Sequence, residues 1–348
     1  MEEKNRLCKI FPAFLILLLL LLSYSCGIYK KWSVGNENEI IVIADSLEWL
    51  SLKDVFSSVF EREIMTPQYE KIFHLKWISP IRFPKFTHWK NLLLVSTLDK
   101  RSKASEFLRA ILDPQLLVGV EEGKYYVFIK KDNWAKDQLF MVLTAKNQQI
   151  LREKVMENSQ FLFDQFDEMV NLRVKKLMYR ENEQKELEEH FKESYGWTFR
   201  VQRDYIVLKE KPDSGFVWLG RNYPIRWISI YWETVEDVPA ITEEWVMDKR
   251  DEIGLKFYKD MVVDRRYSGV KLIRFKDWVT YRITGLWMLR KKALGGPFRT
   301  YCFYDDLTGR IYLIDFLVYA PGQEKAYYLR QLEIMVKTFN TFPHEGKL

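Results

Sequence analysis

Between Asn147 and Ser194 large apolar residues follow three-to-four spacing, with one double step of seven after Val155, at Leu151, Val155, Leu162, Phe166, Val170, Val174 and Leu177, with charges between them. That spacing belongs to a helix with one buried face. At about 1.5 Å per residue an unbroken helix here would reach roughly 70 Å, far beyond a small domain. The pattern thins after Arg180, with Leu187 and Phe191 the next large apolar residues. A break is therefore expected near Arg180–Glu183, and Gly196 is placed to end the last turn. Residues 147–196 read as a helical connector between an N-terminal domain (39–146) and a C-terminal one (197–342).

The N-terminal domain opens with Glu39-Ile-Ile-Val-Ile, a β-branched run that reads as a buried strand. A helix over Leu47–Phe60 follows, then strands over Tyr69–Ile78 and Asn91–Thr97, a short helix over Ser105–Leu112, and strands over Lys124–Lys130 and Gln138–Thr144. The order β-α-β-β-α-β-β predicts a ferredoxin-like βαββαβ-type sheet with an added strand and the long helix. In the C-terminal domain, Thr198–Val201 and Ile206–Lys209 read as a hairpin. Strands are expected at Phe216–Leu219 and Trp227–Trp232, and a helix capped by Thr242, with Glu243 and Glu244 at its positive end. Lys271–Phe275, Trp278–Trp287, Arg299–Tyr304 and Arg310–Tyr319 then alternate as a meander. After Pro321-Gly322 a last helix carries Leu329, Leu332 and Met335 on one face. The class is α+β: two domains, the second an antiparallel sheet covered by helices.

The first residues carry a different message. A head with Lys4, Arg6 and Lys9 precedes an apolar run from Ile10 to Leu22, and small residues precede Cys26. This reads as a lipoprotein signal over 1–25, cut before Cys26, whose thiol and new amino group are acylated. Residues 26–38 form the tether. The alternative is an uncleaved anchor over Ile10–Tyr29, about 20 residues and just long enough to span a bilayer. Ser23, Tyr24, Ser25 and Gly27 weaken that reading by diluting its second half. Gly27, with no aspartate or acidic run after the cysteine, points to an outer-membrane lipoprotein facing the periplasm.

Removing residues 1–25 takes away three basic and two acidic residues, so the formal charge falls from +6 to +5. Without a dense Lys/Arg run, nucleic acid is not an expected partner. Past Cys26 only Cys302 remains. No internal disulfide can form in the mature chain, and Cys302, in a predicted strand, reads as a small core residue.

The chain resembles a group of bacterial lipoproteins, of Bacteroidota type, classed as a domain of unknown function. The resemblance rests on Glu39-Ile-Ile-Val-Ile, Lys131-Asp-Asn-Trp-Ala-Lys-Asp-Gln, Phe216-Val-Trp-Leu, Gly285-Leu-Trp, Gly295-Gly-Pro-Phe, Val318-Tyr-Ala-Pro and Tyr328-Leu-Arg-Gln-Leu-Glu. It implies a cell-envelope lipoprotein and brings with it no activity, cofactor or catalytic residue.

Motifs for catalysis are missing from the sequence: no nucleophile elbow, Walker loop, dinucleotide fingerprint or His-Glu-x-x-His. His74, His88, His190 and His344 stand singly, so neither a metal nor a cofactor is expected. Two places carry a chemical hypothesis. Asp315 interrupts an apolar strand and calls for a partner, with Arg282 or Arg299 on neighbouring strands as candidates. Arg290, Lys291 and Lys292, followed by Gly295 and Gly296, read as a loop whose backbone N–H groups form an anion-binding nest. The favoured function is a non-catalytic binding or scaffolding module for an envelope protein, glycan or lipid headgroup. The alternative is an envelope hydrolase or transferase using carboxylates that include Asp315.

Overall fold

The computed structural model describes residues 30–237 and 239–343. The signal run, Cys26 and His344 lie outside the described residues. These residues form two compact units, one within Met1–Leu52 and Lys76–Lys154, the other within Lys53–Leu75 and Val155–Leu348.

In chain order the first elements are β1 (Glu39–Ile43), α1 (Ser46–Phe60), β2 (Glu63–Met65), β3 (Tyr69–Lys71), β4 (His74–Ile78) and β5 (Asn91–Thr97). Then come α2 (Lys103–Ile111), α3 (Pro114–Glu121), β6 (Val127–Lys131) and β7 (Leu139–Ala145). The division between units falls inside α1 and again inside β4. The N-terminal sheet has the order β4-β1-β5-β7-β6. Its α+β character is as expected, but its centre is not ferredoxin-like. β1 pairs with β5, and β5 with β7, in parallel, while β6 joins β7 antiparallel. The reason lies in burial: every residue of β5 and of β7 is buried. Strands covered on both faces are the usual material of parallel sheets. One face carries Ile41, Leu92, Leu94, Phe140 and Val142 against Phe83, Ala104, Leu108 and Val120. α2 starts at a capping box in which Ser102 and Ser105 each satisfy the other's backbone N–H.

The helical stretch is broken twice, into α4 (Gln148–Glu157), α5 (Ser159–Met178) and α6 (Lys185–Tyr195). The second break falls at the expected place, and Gly196 ends α6 in the left-handed conformation, φ 72°. β8 (Trp197–Thr198) does not form a hairpin with β9 (Ile206–Lys211). It pairs with β16 (Asn340–Thr341), while β9 joins β10 (Phe216–Arg221). The rest is β11 (Ile225–Thr234), α7 (Glu243–Phe257), β12 (Met261–Phe275), β13 (Trp278–Leu289), β14 (Lys292–Asp305), β15 (Arg310–Tyr319) and α8 (Ala326–Val336).

Seven strands, ordered β12-β13-β14-β15-β11-β10-β9, make one antiparallel sheet. On one face Ile283, Phe298, Cys302, Leu313 and Leu317 pack with Val246, Ile253 and Phe257 of α7. Each such side chain taken fully from water contributes about 1.5–3 kcal/mol. Thr242 caps α7, its hydroxyl accepting from the Trp245 N–H at 3.2 Å. α8 buries Leu329, Leu332 and Met335, and its Arg330 pairs with Asp167 of α5 at 2.6 Å. The α8 N-terminus is held by a residue far upstream: Glu70 Oε2 accepts from the N–H groups of Lys325 and Ala326, both at 2.7 Å. A carboxylate there suits the positive end of the helix. The same early segment sends Phe60 and Phe73 against Phe166, edge to face.

Candidate functional site

Asp315 is buried in β15, as its sequence context requires, but neither expected arginine meets it. Alternation along the strands sets Asp315 beside Thr300 on the α7 face of the sheet. The partner comes from the helix: Arg250 Nη2 lies 3.3 Å from Asp315 Oδ2, and the Thr300 hydroxyl donates to Oδ1 at 2.6 Å. Arg250 is 1% exposed and Asp315 4%. The guanidinium also lies 4.7 Å from the centre of the Phe298 ring. Burial and the nearby Asp315 push the Tyr258 hydroxyl well above its ordinary value. Asp315 is therefore part of a closed internal pair.

Arg299 and Arg282 belong to the opposite face. Arg299 pairs with Glu333 of α8, which also accepts from the Tyr301 hydroxyl at 2.6 Å. Burial pushes the Glu333 carboxyl up, yet Arg299, Lys337, Tyr301 and Arg282 together outweigh it and hold the pKa down at about 2. Arg282 has no carboxylate in ion-pair contact among the described residues, and its Nε is buried without a hydrogen-bond partner.

The basic glycine segment does not form a nest. Arg290 and Lys291 make the two-residue turn between β13 and β14, and Lys292 begins β14. Gly295 and Gly296 are ladder residues opposite Met288 and Trp287. Their role is close approach: a Cβ on Gly296 would stand 2.1 Å from the Val318 carbonyl oxygen, and one on Gly295 2.6 Å from that of Trp287. Arg290 is weakly tied, its Nε 3.9 Å from Asp260. What remains is an exposed cationic hairpin tip. Cys302 is fully buried, and desolvation raises its thiol pKa far above the ordinary value. Its place is the core.

The N-terminal unit holds a buried carboxylate that no sequence signal marked. Glu48 of α1 is 3% exposed, and its Oε1 accepts from the Thr97 N–H at 2.8 Å and the Thr97 hydroxyl at 3.0 Å. Desolvation outweighs those two bonds, and with Asp45 and Asp99 nearby the pKa rises to about 7.

A groove of about 580 Å³ opens in the C-terminal unit where the β10–β11 turn meets the end of β15 and the start of α8. Tyr223, Pro224, Tyr319, Pro321 and Tyr328 supply its rings, and Asn222 and Gln323 its amides. All its lining side chains are neutral. Tyr223 is 95% exposed and has a φ of 58°, a conformation that few bulky residues adopt. Tyr328 is held from behind, with the Arg226 guanidinium 5.0 Å from its ring centre, and its hydroxyl donates to Gln323 Oε1 at 3.1 Å. That bond orients the Gln323 amide and leaves its N–H donors, like the Asn222 amide and the Tyr223 and Tyr319 hydroxyls, without protein partners among the described residues.

Two family models divide this chain. Residues 183–338 match DUF4837, a domain of unknown function. Residues 33–179 match another, DUF8532. Both carry the unknown-function class that the sequence motifs imply. No curated protein matches the chain. Among solved structures it is similar to the Ran-binding protein Mog1p of Saccharomyces cerevisiae, at 14% identity over 42% of this chain and 90% of that one, TM-score 0.29. LpqN, involved in cell envelope biogenesis of Mycobacterium tuberculosis, is similar at 11% identity over 42% and 83%, TM-score 0.30. A Bacteroides thetaiotaomicron VPI-5482 protein is similar at 9% identity over 44% and 48%, TM-score 0.26. Among the described residues no helix is long and apolar enough to cross a membrane.

Proposed function

We propose that this protein is a lipid-tethered binding module of the cell envelope, attached through Cys26 to the outer membrane and facing the periplasm. Its ligand is a neutral saccharide taken in the Tyr223 groove. The observation that supports binding is the groove itself: exposed rings beside unpartnered amide and hydroxyl groups, without a charge in the lining. Aromatic faces pack against the C–H faces of sugar rings, while amides and hydroxyls match sugar hydroxyls. Such a division of labour, apolar walls with a few placed polar groups, is general to small-molecule sites. Asp315, the acid an enzymatic reading would use, is committed to Arg250.

Two experiments test this reading. Titration of the full-length protein with neutral oligosaccharides from envelope glycans should show saturable binding, weakened about tenfold by Tyr223→Ala through loss of a stacking face. Tyr223 is so exposed that the fold should be untouched. Equal affinity in the variant, or preference for a proline-rich peptide, would sink the saccharide assignment. For the anchor, Cys26→Ala should abolish fatty-acid labelling and leave uncleaved precursor. Two or more acyl chains hold a membrane stably where one does not. Labelling that persisted in Cys26→Ala would place the attachment elsewhere.

A further inference from the structure

On the α8 face of the C-terminal sheet, with no lining residue in common with the groove, lies a cavity of about 360 Å³. Glu63 and Met65 of β2, Tyr267 of β12, Arg282 and Thr284 of β13 and Arg299 of β14 contribute to its wall. Register explains its charge. Arg282 is directly opposite Lys271 on β12, and Thr284 opposite Arg299 on β14, so three cations share one face of three adjacent strands. Like charges directly opposite each other destabilise a sheet. The carboxylate that meets this stripe, Glu333, is shared between Arg299 and Lys337. Arg282 is left with a buried, unpartnered Nε, and Glu63 lines the cavity without an ion pair to it.

We infer that this cavity is a binding site for an oxyanion, a carboxylate or phosphate group, received by Arg282. The Nε edge of a guanidinium presents two parallel N–H donors, the fork that fits two oxygens of such a group. A bound anion would satisfy the buried Nε and relieve the repulsion between Arg282 and Lys271. Thr284 adds a neutral hydroxyl to the same wall. The size suits a small ligand or the charged head of a larger one. This site is independent of the saccharide reading and stands or falls separately.

The test is calorimetric titration of the full-length protein in neutral detergent at low salt, with inorganic phosphate, glycerophosphate and acetate in parallel. Saturable binding of at least one is expected, weakened about tenfold in Arg282→Gln and less in Arg282→Lys, which keeps the charge but loses the fork. Preference for glycerophosphate would identify a lipid headgroup as the source, and equal or tighter binding of phosphate a free anion. Tightest binding of acetate would identify a carboxylate. Glu63→Gln removes a like charge from the cavity and should tighten binding several-fold. Should Arg282→Gln lose its native tertiary signal, the exposed Glu63 decides: tighter binding sustains the site, unchanged affinity overturns it. Absence of saturable binding to all three probes, or affinity indifferent to Arg282→Gln in a folded variant, also overturns it.

Discussion

Asp315→Ala is expected to destabilise the C-terminal unit by about 3–5 kcal/mol, the usual cost of stranding one member of a buried ion pair. Arg250 would keep its charge at 1% exposure with Met261 Sδ and the Phe298 ring for company. Thr300 would lose the carboxylate its hydroxyl donates to. Arg250→Met should cost less, because a lone buried Asp315 can take up a proton whereas an arginine keeps its charge. Replacing both with apolar side chains, Arg250→Met with Asp315→Leu, should recover most of the loss, since such pairs often do no better than a well-packed apolar substitute. Denaturant unfolding followed by tryptophan fluorescence reads all three. A loss below about 1 kcal/mol in Asp315→Ala, or a double variant as weak as the sum of Arg250→Met and Asp315→Leu made singly, would mean that the pair is not energetically coupled.

Glu48 should make the N-terminal unit more stable in mild acid than at pH 8. Its pKa stands at about 7 in the folded chain against an ordinary 4.5. A raised carboxyl favours folding in its protonated form, so its contribution is complete below about pH 4.5. It is lost as the pH climbs through 7. The difference is on the order of 3 kcal/mol. Glu48→Gln keeps a carbonyl oxygen for the Thr97 N–H and removes the charge. The variant should therefore match the parent near pH 4.5, exceed it by up to about 3 kcal/mol at pH 8, and lose this slope between. A parent whose stability is flat from pH 5 to 8, or a variant that keeps the slope, would show that Glu48 stays ionised in the fold.

Neither prediction could have been framed from the sequence. Asp315 was conspicuous there as a charge within Ile311-Tyr-Leu-Ile-Asp-Phe-Leu-Val-Tyr, and its burial was legible. Its partner was not, because Arg250 arrives from the helix packed over the sheet and not from a neighbouring strand. Glu48 left no trace at all, being one of two acids on an otherwise unremarked helix, with Asp54. The meander from β12 to β15 was legible because four long strand-forming runs follow one another with only short turns between them. In β5 and β7 every residue is buried, the polar Asn91, Ser96, Thr97 and Thr144 included, and an element order shared by several α+β sheets hid their parallel pairing. The adjacent cations and paired glycines of 290–296 suggest an anion-binding loop, whereas Gly295 and Gly296 lie in the β13–β14 ladder. Their actual constraint, carbonyl oxygens of two other residues standing where side chains would go, lies outside the local sequence.

The carboxylate of Glu70 at the head of α8 bears on how the protein is made. A helix capped by its own neighbours can begin to form as soon as it leaves the ribosome. This one is capped from 255 residues earlier in the chain, and the early segment that supplies the cap also supplies Phe60 and Phe73. The C-terminal unit therefore brackets most of the N-terminal one along the polypeptide. Its first piece is synthesised early, and its Glu70 meets the α8 N-terminus only once the last described helix has been made. Contacts closed over such separations slow folding, and apolar surface left waiting is prone to mispair. It follows that a gene fragment beginning at residue 183, where one family model starts, would encode the sheet but neither the cap nor the phenylalanines beneath α5. The stretch matched by that family model and the compact C-terminal unit do not share their borders.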